Sequence, residues 1–491
     1  LRHSIQWCCS EATHWQGRKD FIGRDVMQLG DVFDDFSFDA RTASIEVTSV
    51  EIDSRSCMPG SVFFAMNGTS ENGSKYAKDA VANGAVCVVS TEELKLEVPV
   101  ICVAQSLLRG LLAHASSVVT GNPQLRCELV GVTGTNGKTS VTTIVGDLAR
   151  AISWNGGNIG TLTNERTTPD APELMRSLKA IVDGFDPSKP RSVVSLEVSS
   201  HAIDQARVEG LAFAVVAFTN LSHDHLDYHG SMDEYFAVKA RLFTREFAQR
   251  CVIWCDDSYG QRLAKETQLA VSEVRRSDAS EIVQTLTGTT FFWRGHLVNT
   301  PLIGDYNIDN ALMAMTILSS LGASDEAIAG AMEFVTNVPG RFEVIKGAST
   351  TAIVDYAHTP EGLRRLLHDV RALSPTSRII TVFGCGGERD TSKRPEMGRV
   401  ASQLSDVTII TSDNPRSESP DAIIDAVMSG CELNSVTYVQ SDRRAAISQA
   451  MQLANAGDVV VIAGKGHETT QTIGDVELMF DDRVVARELV K

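Results

Sequence analysis

The sequence contains no apolar run near the roughly 18 residues that a membrane-crossing helix requires, so no helical span is expected. Its opening stretch, LRHSIQWCCSEATHWQGRKD, lacks the uninterrupted apolar centre of a signal peptide. The chain also begins with Leu instead of Met. An over-extended start is the expectation, with Met27 one candidate for the true one, and no structure is assigned to residues 1–26. Positive charge is in deficit. A formal charge of −17 argues against nucleic acid or an anionic membrane as the main partner. Phosphate substrates stay open, because local lysines, arginines, metals and backbone amides hold those. Ten cysteines, at 8, 9, 57, 87, 102, 127, 251, 255, 385 and 431, include no C-x-x-C pair. Many sit in apolar runs such as 86–89 and 100–103, the pattern of reduced, buried thiols and not of a disulfide framework or zinc site. A soluble cytoplasmic protein is expected. At 491 residues the chain is too long for one core, so two to four domains are expected.

A glycine is missing too, from the stretch around which the chain is organised: ELVGVTGTNGKTSVTTIV, residues 128–145. The common phosphate-loop spacing places a glycine where this chain has Val132. The glycine comes at Gly134, giving the shorter loop Gly134-Thr135-Asn136-Gly137-Lys138-Thr139. What is present still falls in the required order. An apolar strand at 129–132, a glycine turn and a helix start make an anion site, where unpaired amides and the helix dipole converge. Lys138 would add a point charge and the Thr139 hydroxyl would hold Mg2+. The bland alternative is a glycine-rich turn that happens to precede a lysine.

Strand and helix patterns alternate along the whole chain. Residues 45–52, 61–65, 85–89 and 100–103 read as strands, and 76–83 and 107–117 as helices. The polar loop at 67–74 could hold a sugar or pyrophosphate, or be ordinary surface. From 128 to 343 the alternation predicts a mostly parallel sheet covered on both faces. Strands at 192–198 and 212–221 end in EVSSH and SHDHLDYHG, which puts Glu197, Ser199, His201, His225 and Asp227 at the carboxyl edge beside the glycine loop. A carboxylate and a neutral imidazole there could share a metal shell with Thr139; His225 and His229 could alternatively form a zinc pair. Asn307 either caps a helix over 311–321 or reads an adenine edge with Asn310. A boundary is placed near 344. Beyond it, strands at 352–355, 378–383, 407–411, 437–440 and 458–463 predict a second open sheet. Its edge carries DYAHTP, GCGGERD, SDNPR and GKGHE, which predicts a second substrate site.

These motifs, with GRFE and the Gly304-x-x-Asn307-x-x-Asn310 helix start, occur in the order seen in the Mur ligase family, which this chain resembles from about residue 45 to its end. The combination of EVSSH, DHLDYHG and DNPR resembles the branch that adds the third residue of the peptidoglycan stem peptide. Residues 1–40 match nothing named. The resemblance implies an α/β fold of three domains. A small N-terminal α/β domain over 1–127 would bind the UDP-sugar. A central phosphate-loop domain with a mostly parallel sheet, over 128–343, would bind ATP. A Rossmann-like α/β domain over 344–491 would bind the amino acid.

The roles it implies fall on particular residues. Ser54 with Thr167, Thr168, Ser199, Gln205 and Arg207 would hold the UDP-muramoyl peptide. Gly134 to Ser140, through Thr135, Asn136, Gly137, Lys138 and Thr139, would bind ATP with Asn307, Arg341, Asp355 and His358. Lys138, Glu197, His225 and Lys239 would be catalytic. Lys239 would be carbamylated and would hold Mg2+ with Thr139, Glu197 and His225. Arg389, Asp413, Asn414, Pro415, Arg416, Gly464 and Glu468 would form the amino-acid pocket. Arg416 favours meso-diaminopimelate, whose distal carboxylate a guanidinium grips with two charge-assisted bonds, over lysine. His223 departs from relatives, with no functional change expected. The implied reaction is ATP-dependent ligation of meso-diaminopimelate to UDP-N-acetylmuramoyl-L-alanyl-D-glutamate by a monomer. Rival readings are the same ligation with L-lysine, a folylpolyglutamate synthase-like ligase, and a regulator that binds ATP without turnover.

Overall fold

The computed structural model describes residues 4–6, 27–67, 72–164 and 166–490, and of residues 4–6 and Asp227 the backbone alone. Runs such as Glu128–Thr133 and Val459–Ala463 are apolar at almost every position, so both of their faces must be covered. The chain meets that demand with three sheets, each flanked by helices, in a three-domain α/β architecture. The first sheet is parallel throughout, in the order Ser4–Gln6, Val100–Cys102, Ala85–Ser90, Ser61–Phe64, Ser49–Glu51. Ser4–Gln6 is thus an edge strand in the stretch to which the sequence assigned no structure; residues 1–3 and 7–26 lie outside the described residues, as does the middle of the 67–74 loop. The helix Gln105–Val119 packs Leu108 and Leu112 onto this sheet with Phe33 and Phe64.

The second sheet, also parallel throughout, runs Ala270–Val274, Arg250–Trp254, Val215–Phe218, Glu128–Thr133, Ser192–Glu197, Asn155–Ile159. Alternate residues of Glu128–Thr133 feed opposite cores. Val130 and Val132 join the helices Lys138–Ala151 and Asp305–Ser320, and Leu129 joins Ala171–Asp183. The third sheet runs Glu343–Lys346, Thr351–Asp355, Val459–Ala463, Ile379–Phe383, Val407–Ile410, Thr437–Val439, with only the first pair antiparallel. Its first strand begins at Glu343, so the boundary near 344 cuts into that strand.

Four further differences from the sequence reading have local causes. Parallel alternation was expected up to 343, but Ala279–Thr285, Gly288–Trp293 and His296–Thr300 form an antiparallel meander. Its two-residue turns, Leu286-Thr287 just before Gly288 and Arg294-Gly295, set the hairpins. A hairpin of Thr470–Ile473 and Val476–Met479 was also not foreseen. The helix expected over 311–321 begins at Asp305 with Gly304 as its cap, so Asn307 does not cap it; its Nδ2 donates to the Ile303 carbonyl at 2.7 Å. Lys239, which reads as a surface lysine, is buried.

Among the described residues the cysteines are free thiols, and burial pushes Cys87 and Cys251 up to about 12. No helix among the described residues is long and apolar enough to cross a membrane.

Two polar joints, the first of them buried, hold the sheets to one another. Asp355 accepts bonds from Tyr306 Oη at 2.8 Å, Phe342 N at 2.7 Å and Ala357 N at 2.8 Å, tying the helix Asp305–Ser320 to the third sheet. Arg176 Nη1 donates to Glu51 Oε1 at 3.0 Å between the first and second sheets. Beside the third sheet, Arg443 of the helix Arg443–Leu453 and Asp482 of the helix Asp482–Leu489 form a fully buried pair, Nη2 to Oδ2 at 2.7 Å, and Arg443 also donates to the Ala463 and Ser412 carbonyls. Replacing Arg443 by Met would strand the Asp482 charge. A loss of about 3–5 kcal/mol is expected, read as a lowered denaturation midpoint of the third sheet's domain.

Candidate active site

Gly134 and Gly137 have φ of +149° and +86°, and both face close neighbours. A Cβ on Gly134 would lie 1.9 Å from Thr219 Oγ1, and one on Gly137 would lie 2.5 Å from Asn310 Oδ1. The end of the neighbouring strand grips the loop from one side. Thr219 Oγ1 donates to the Asn136 carbonyl at 2.6 Å, Asn136 N donates to Asn220 Oδ1 at 3.0 Å, and Thr135 N donates to the Asn220 carbonyl at 2.9 Å. The loop is therefore preformed, with the first-turn amides of Lys138–Ala151 at its mouth. Ser140 is buried behind it.

Charged groups crowd this loop with few counter-charges. Lys138 Nζ folds back onto the Gly134 and Thr135 carbonyls, each at 2.9 Å. Burial lowers its pKa, while Glu197 and Asp224 pull it upward. Glu197 is buried at the end of Ser192–Glu197, where it accepts from Thr139 Oγ1 at 2.9 Å and Thr161 N at 2.8 Å. Burial raises its carboxyl, and the nearby Lys138 cation opposes that rise. Lys239 reaches the same point from the helix Met232–Ala240. Its Nζ lies 3.0 Å from the Gly134 carbonyl and 4.7 Å from the Tyr235 ring centre. Burial and then Lys138 hold this amine well below the usual lysine value, which favours the neutral form.

His225 has φ of +53° and lies 3.4 Å from Asp224 Oδ2 through its Nε2. Burial holds its imidazole below the ordinary value against the pull of Asp224, and its half-exposed ring edge softens that effect. The second histidine of the alternative zinc pair, His229, sits with Nε2 2.9 Å from Ser200 Oγ. Among the described residues no group of three or more metal-ligating side chains is gathered.

A second cluster adjoins the first. Thr168 Oγ1 donates to the Glu197 carbonyl at 2.8 Å and accepts from Ser199 N at 3.0 Å. Arg207 donates to the Thr168 carbonyl at 2.8 Å and to Gln205 Oε1 at 2.7 Å, and its Nε lies 3.3 Å from Asp170 Oδ1. Thr167 meets Thr161 at 3.2 Å. The expected peptide-holding residues of the second sheet are thus joined in one network. Ser54 belongs to the first sheet instead, buried in the turn that follows Ser49–Glu51.

At the carboxyl edge of the third sheet the four loops converge as expected. Asn414 Nδ2 donates to Glu468 Oε2 at 2.8 Å, and Asp413 Oδ2 crowds Gly464, whose φ is +114°. Pro415 is buried against Gly387, Arg416 Nη1 donates to the Gly387 carbonyl at 2.8 Å, and Arg389 stands exposed at the rim. Arg341 lies over the Tyr356 ring at 4.3 Å, which in turn packs on His467 at 5.0 Å. His358 Nδ1 is 2.9 Å from the Tyr356 carbonyl. A cavity of about 330 Å³ separates the two edges. Ser222, His223 and Asp224 line it from the second sheet, and Thr359, Asp390 and Lys393 from the third.

Sequence reasoning missed Asp224, Tyr306, Tyr356, Arg443 and Lys465. Asp224, Tyr356 and Lys465 carried a signal, as members of the SHDHLDYHG, DYAHTP and GKGHE loops, and Tyr306 stands inside the Gly304-x-x-Asn307 helix start. Arg443, in the polar string SDRRAA, reads as a solvated helix start.

Three family patterns match the chain: the Mur ligase family catalytic domain over 46–125, the Mur ligase middle domain over 132–318, and the Mur ligase glutamate ligase domain over 340–466. A Gloeobacter violaceus protein is 40% identical over 487 residues, covering 94% of this chain and 98% of that protein. One from Geobacillus kaustophilus is 41% identical over 473 residues, covering 91% and 95%. Both are named UDP-N-acetylmuramoyl-L-alanyl-D-glutamate--2,6-diaminopimelate ligase. A solved structure of a ligase with that name superposes with a TM-score of 0.65 at 29% identity, covering 95% of this chain and 99% of that one.

The preformed loop yields a direct expectation. In Gly134→Ala the added Cβ must displace Thr219, so ADP affinity measured by calorimetry should fall about tenfold or more, ~1.4 kcal/mol. Unchanged affinity would mean that the loop is not the phosphate cradle.

Proposed function

This chain belongs to the Mur ligase family, and we propose that it joins meso-diaminopimelate to UDP-N-acetylmuramoyl-L-alanyl-D-glutamate with ATP, in peptidoglycan precursor synthesis. The observation that carries this reading is the pairing of a preformed anion loop on the second sheet with loops on the third that gather a guanidinium and a carboxylate; a cavity lined by Ser222, His223, Asp224, Thr359, Asp390 and Lys393 lies where the two sheets' edges meet. The relatives named for this reaction support it. The first sheet, to about 127, takes the UDP-sugar; 128 to about 342 takes ATP; and the remainder, from the strand Glu343–Lys346, takes the amino acid.

In this scheme the D-glutamyl side-chain carboxylate attacks the γ-phosphoryl of ATP, forming an acyl phosphate and releasing ADP. The amine of diaminopimelate attacks the acyl carbon, an amide forms, and phosphate leaves as the amine loses its proton. Phosphoryl transfer asks mainly for positioning and charge neutralisation. The loop amides and Lys138 supply these to the phosphates. Thr168, Ser199, Gln205 and Arg207 hold the acyl donor against Glu197, and Asn307, Arg341, Asp355 and His358 surround the nucleotide. Asp355 already accepts three protein bonds, so it orients Phe342 and the linker as well as facing ATP.

The hard oxygen donors at the loop fit Mg2+: a buried carboxylate whose only close hydrogen-bond donors are neutral groups, beside the Thr139 hydroxyl. Thr139, Glu197, His225 and Lys239 would hold it, where it supplies positive charge to the phosphate oxygens. A neutral Lys239 amine can add carbon dioxide, losing a proton to give a carbamate that would put an anion where the amine carried no charge.

Two variants test the assignment. Lys138→Ala should nearly abolish amino-acid-dependent ADP release while leaving the fold intact, and near-normal activity would sink it. Arg416→Ala should raise the KM for diaminopimelate by about tenfold or more, the cost of one charged bond, with the KM for ATP little changed. An unaltered diaminopimelate KM would remove Arg416 from the pocket.

A further inference from the structure

Lys465 has no exposed surface, and the ligation scheme above leaves it without a task. It lies in the loop that follows Val459–Ala463. Its Nζ donates to Glu468 Oε2 at 2.9 Å and to Asn414 Oδ1 at 3.1 Å. Asn414 closes a ring of three by donating its Nδ2 to the same Glu468 oxygen at 2.8 Å, and its Oδ1 also accepts from Thr472 N at 3.0 Å. Both functional ends of Asn414 are therefore dictated. The amide oxygen faces a cation and a backbone amide, which leaves the nitrogen facing Glu468. Glu468, partly exposed, keeps Oε1 for a ligand.

We propose that Lys465 is a positioning residue that sets amino-acid specificity, by fixing Asn414 and Glu468 as one acceptor unit and by adding a buried positive charge that disfavours lysine. This rests on the diaminopimelate reading above. Diaminopimelate ends in an ammonium and a carboxylate, which together add no charge beside Lys465 and Arg416. Lysine ends in an ammonium alone and adds a third cation to a desolvated pocket.

The electrostatics of Glu468 agree with the geometry. Burial raises its carboxyl, but Lys465, Asn414 and His467 outweigh burial and leave it below the ordinary value. Other groups that bear on it are Asp413 after Val407–Ile410, Arg443 on Arg443–Leu453, and Tyr356 after Thr351–Asp355. Glu468 is thus ionised at and above neutral pH. Without Lys465, burial acts with less opposition, and the pH at which Glu468 loses its charge moves upward.

The test measures ADP release by wild type, Lys465→Met, Glu468→Gln and the double variant at saturating UDP-muramoyl dipeptide, varying diaminopimelate or lysine at saturating ATP and, separately, varying ATP at saturating diaminopimelate. In Lys465→Met the diaminopimelate KM should rise tenfold or more while the ATP KM stays within twofold. Its preference for diaminopimelate over lysine should fall at least tenfold, and the acid limb of kcat/KM for diaminopimelate should move to higher pH. The double variant leaves no unpaired buried charge, so it keeps the test open if the single one does not fold. Acting through Glu468, Lys465→Met should then change the diaminopimelate KM of Glu468→Gln by less than threefold. Unchanged diaminopimelate kinetics, ATP and diaminopimelate KM values rising together, or effects that multiply in the double variant would each overturn the proposal. A wild type that shows no diaminopimelate-dependent ADP release would instead overturn the reading beneath it.

Discussion

Everything in the central part of this molecule follows from burying Glu197 and Lys239, with the half-buried Lys138, around one glycine loop. Such groups are costly to remove from water unless each finds a partner. The protein supplies only part of that partnership. Lys138 rests on two loop carbonyls, Glu197 on a hydroxyl and an amide, and Lys239 on a carbonyl and an aromatic face. A triphosphate with a divalent cation would complete the set, anion to lysine and cation to carboxylate. The strand-end clamp from Thr219 and Asn220 keeps the loop rigid, so little reorganisation accompanies binding.

The third sheet repeats the design with a different ligand chemistry. Its strand ends gather Asp413, Glu468, Lys465, Arg416 and Arg443 into alternating charges, several of them fully buried. Between the two centres lie Asp355 and the linker at Gly340, where a Cβ would come within 2.1 Å of the Gly466 backbone. That close approach locks the loop after Val459–Ala463 onto the linker through Gly466 and His467. In the proposed reaction this contact couples the two halves: the phosphate side makes an acyl phosphate, and the other side delivers the amine that consumes it before water does.

The fold was largely legible because its strands are short apolar runs between glycine and proline punctuation. The strand at 128–133 and the five strands expected in the third sheet stand within a residue or two of their expected bounds, while that sheet's first strand, Glu343–Lys346, was not foreseen. The antiparallel meander was lost because its Phe291–Trp293 run is also compatible with one more parallel strand, and only its turn chemistry says otherwise. For the site, loops with unusual polar residues at strand ends gave most of the candidates. Lys239 was different: only family resemblance singled it out, since a lysine in an ordinary helix carries no mark of being buried. Arg443 and Tyr306 act through Asp482 and Asp355 across long sequence separations, and Lys465 reaches Asn414 in the same way, so nothing local encodes these partners.

The central claim is that a carboxylate activated at the glycine loop is taken by the amine of diaminopimelate from the third sheet. The most direct measurement is ADP release by the wild-type chain with UDP-N-acetylmuramoyl-L-alanyl-D-glutamate and, in parallel, diaminopimelate, lysine, or a folate with glutamate. Diaminopimelate-dependent release, one ADP per amide formed, with little from lysine and none from the folate, is the result expected. Equal release with lysine, release with the folate, or release that ignores the acceptor altogether would contradict the account.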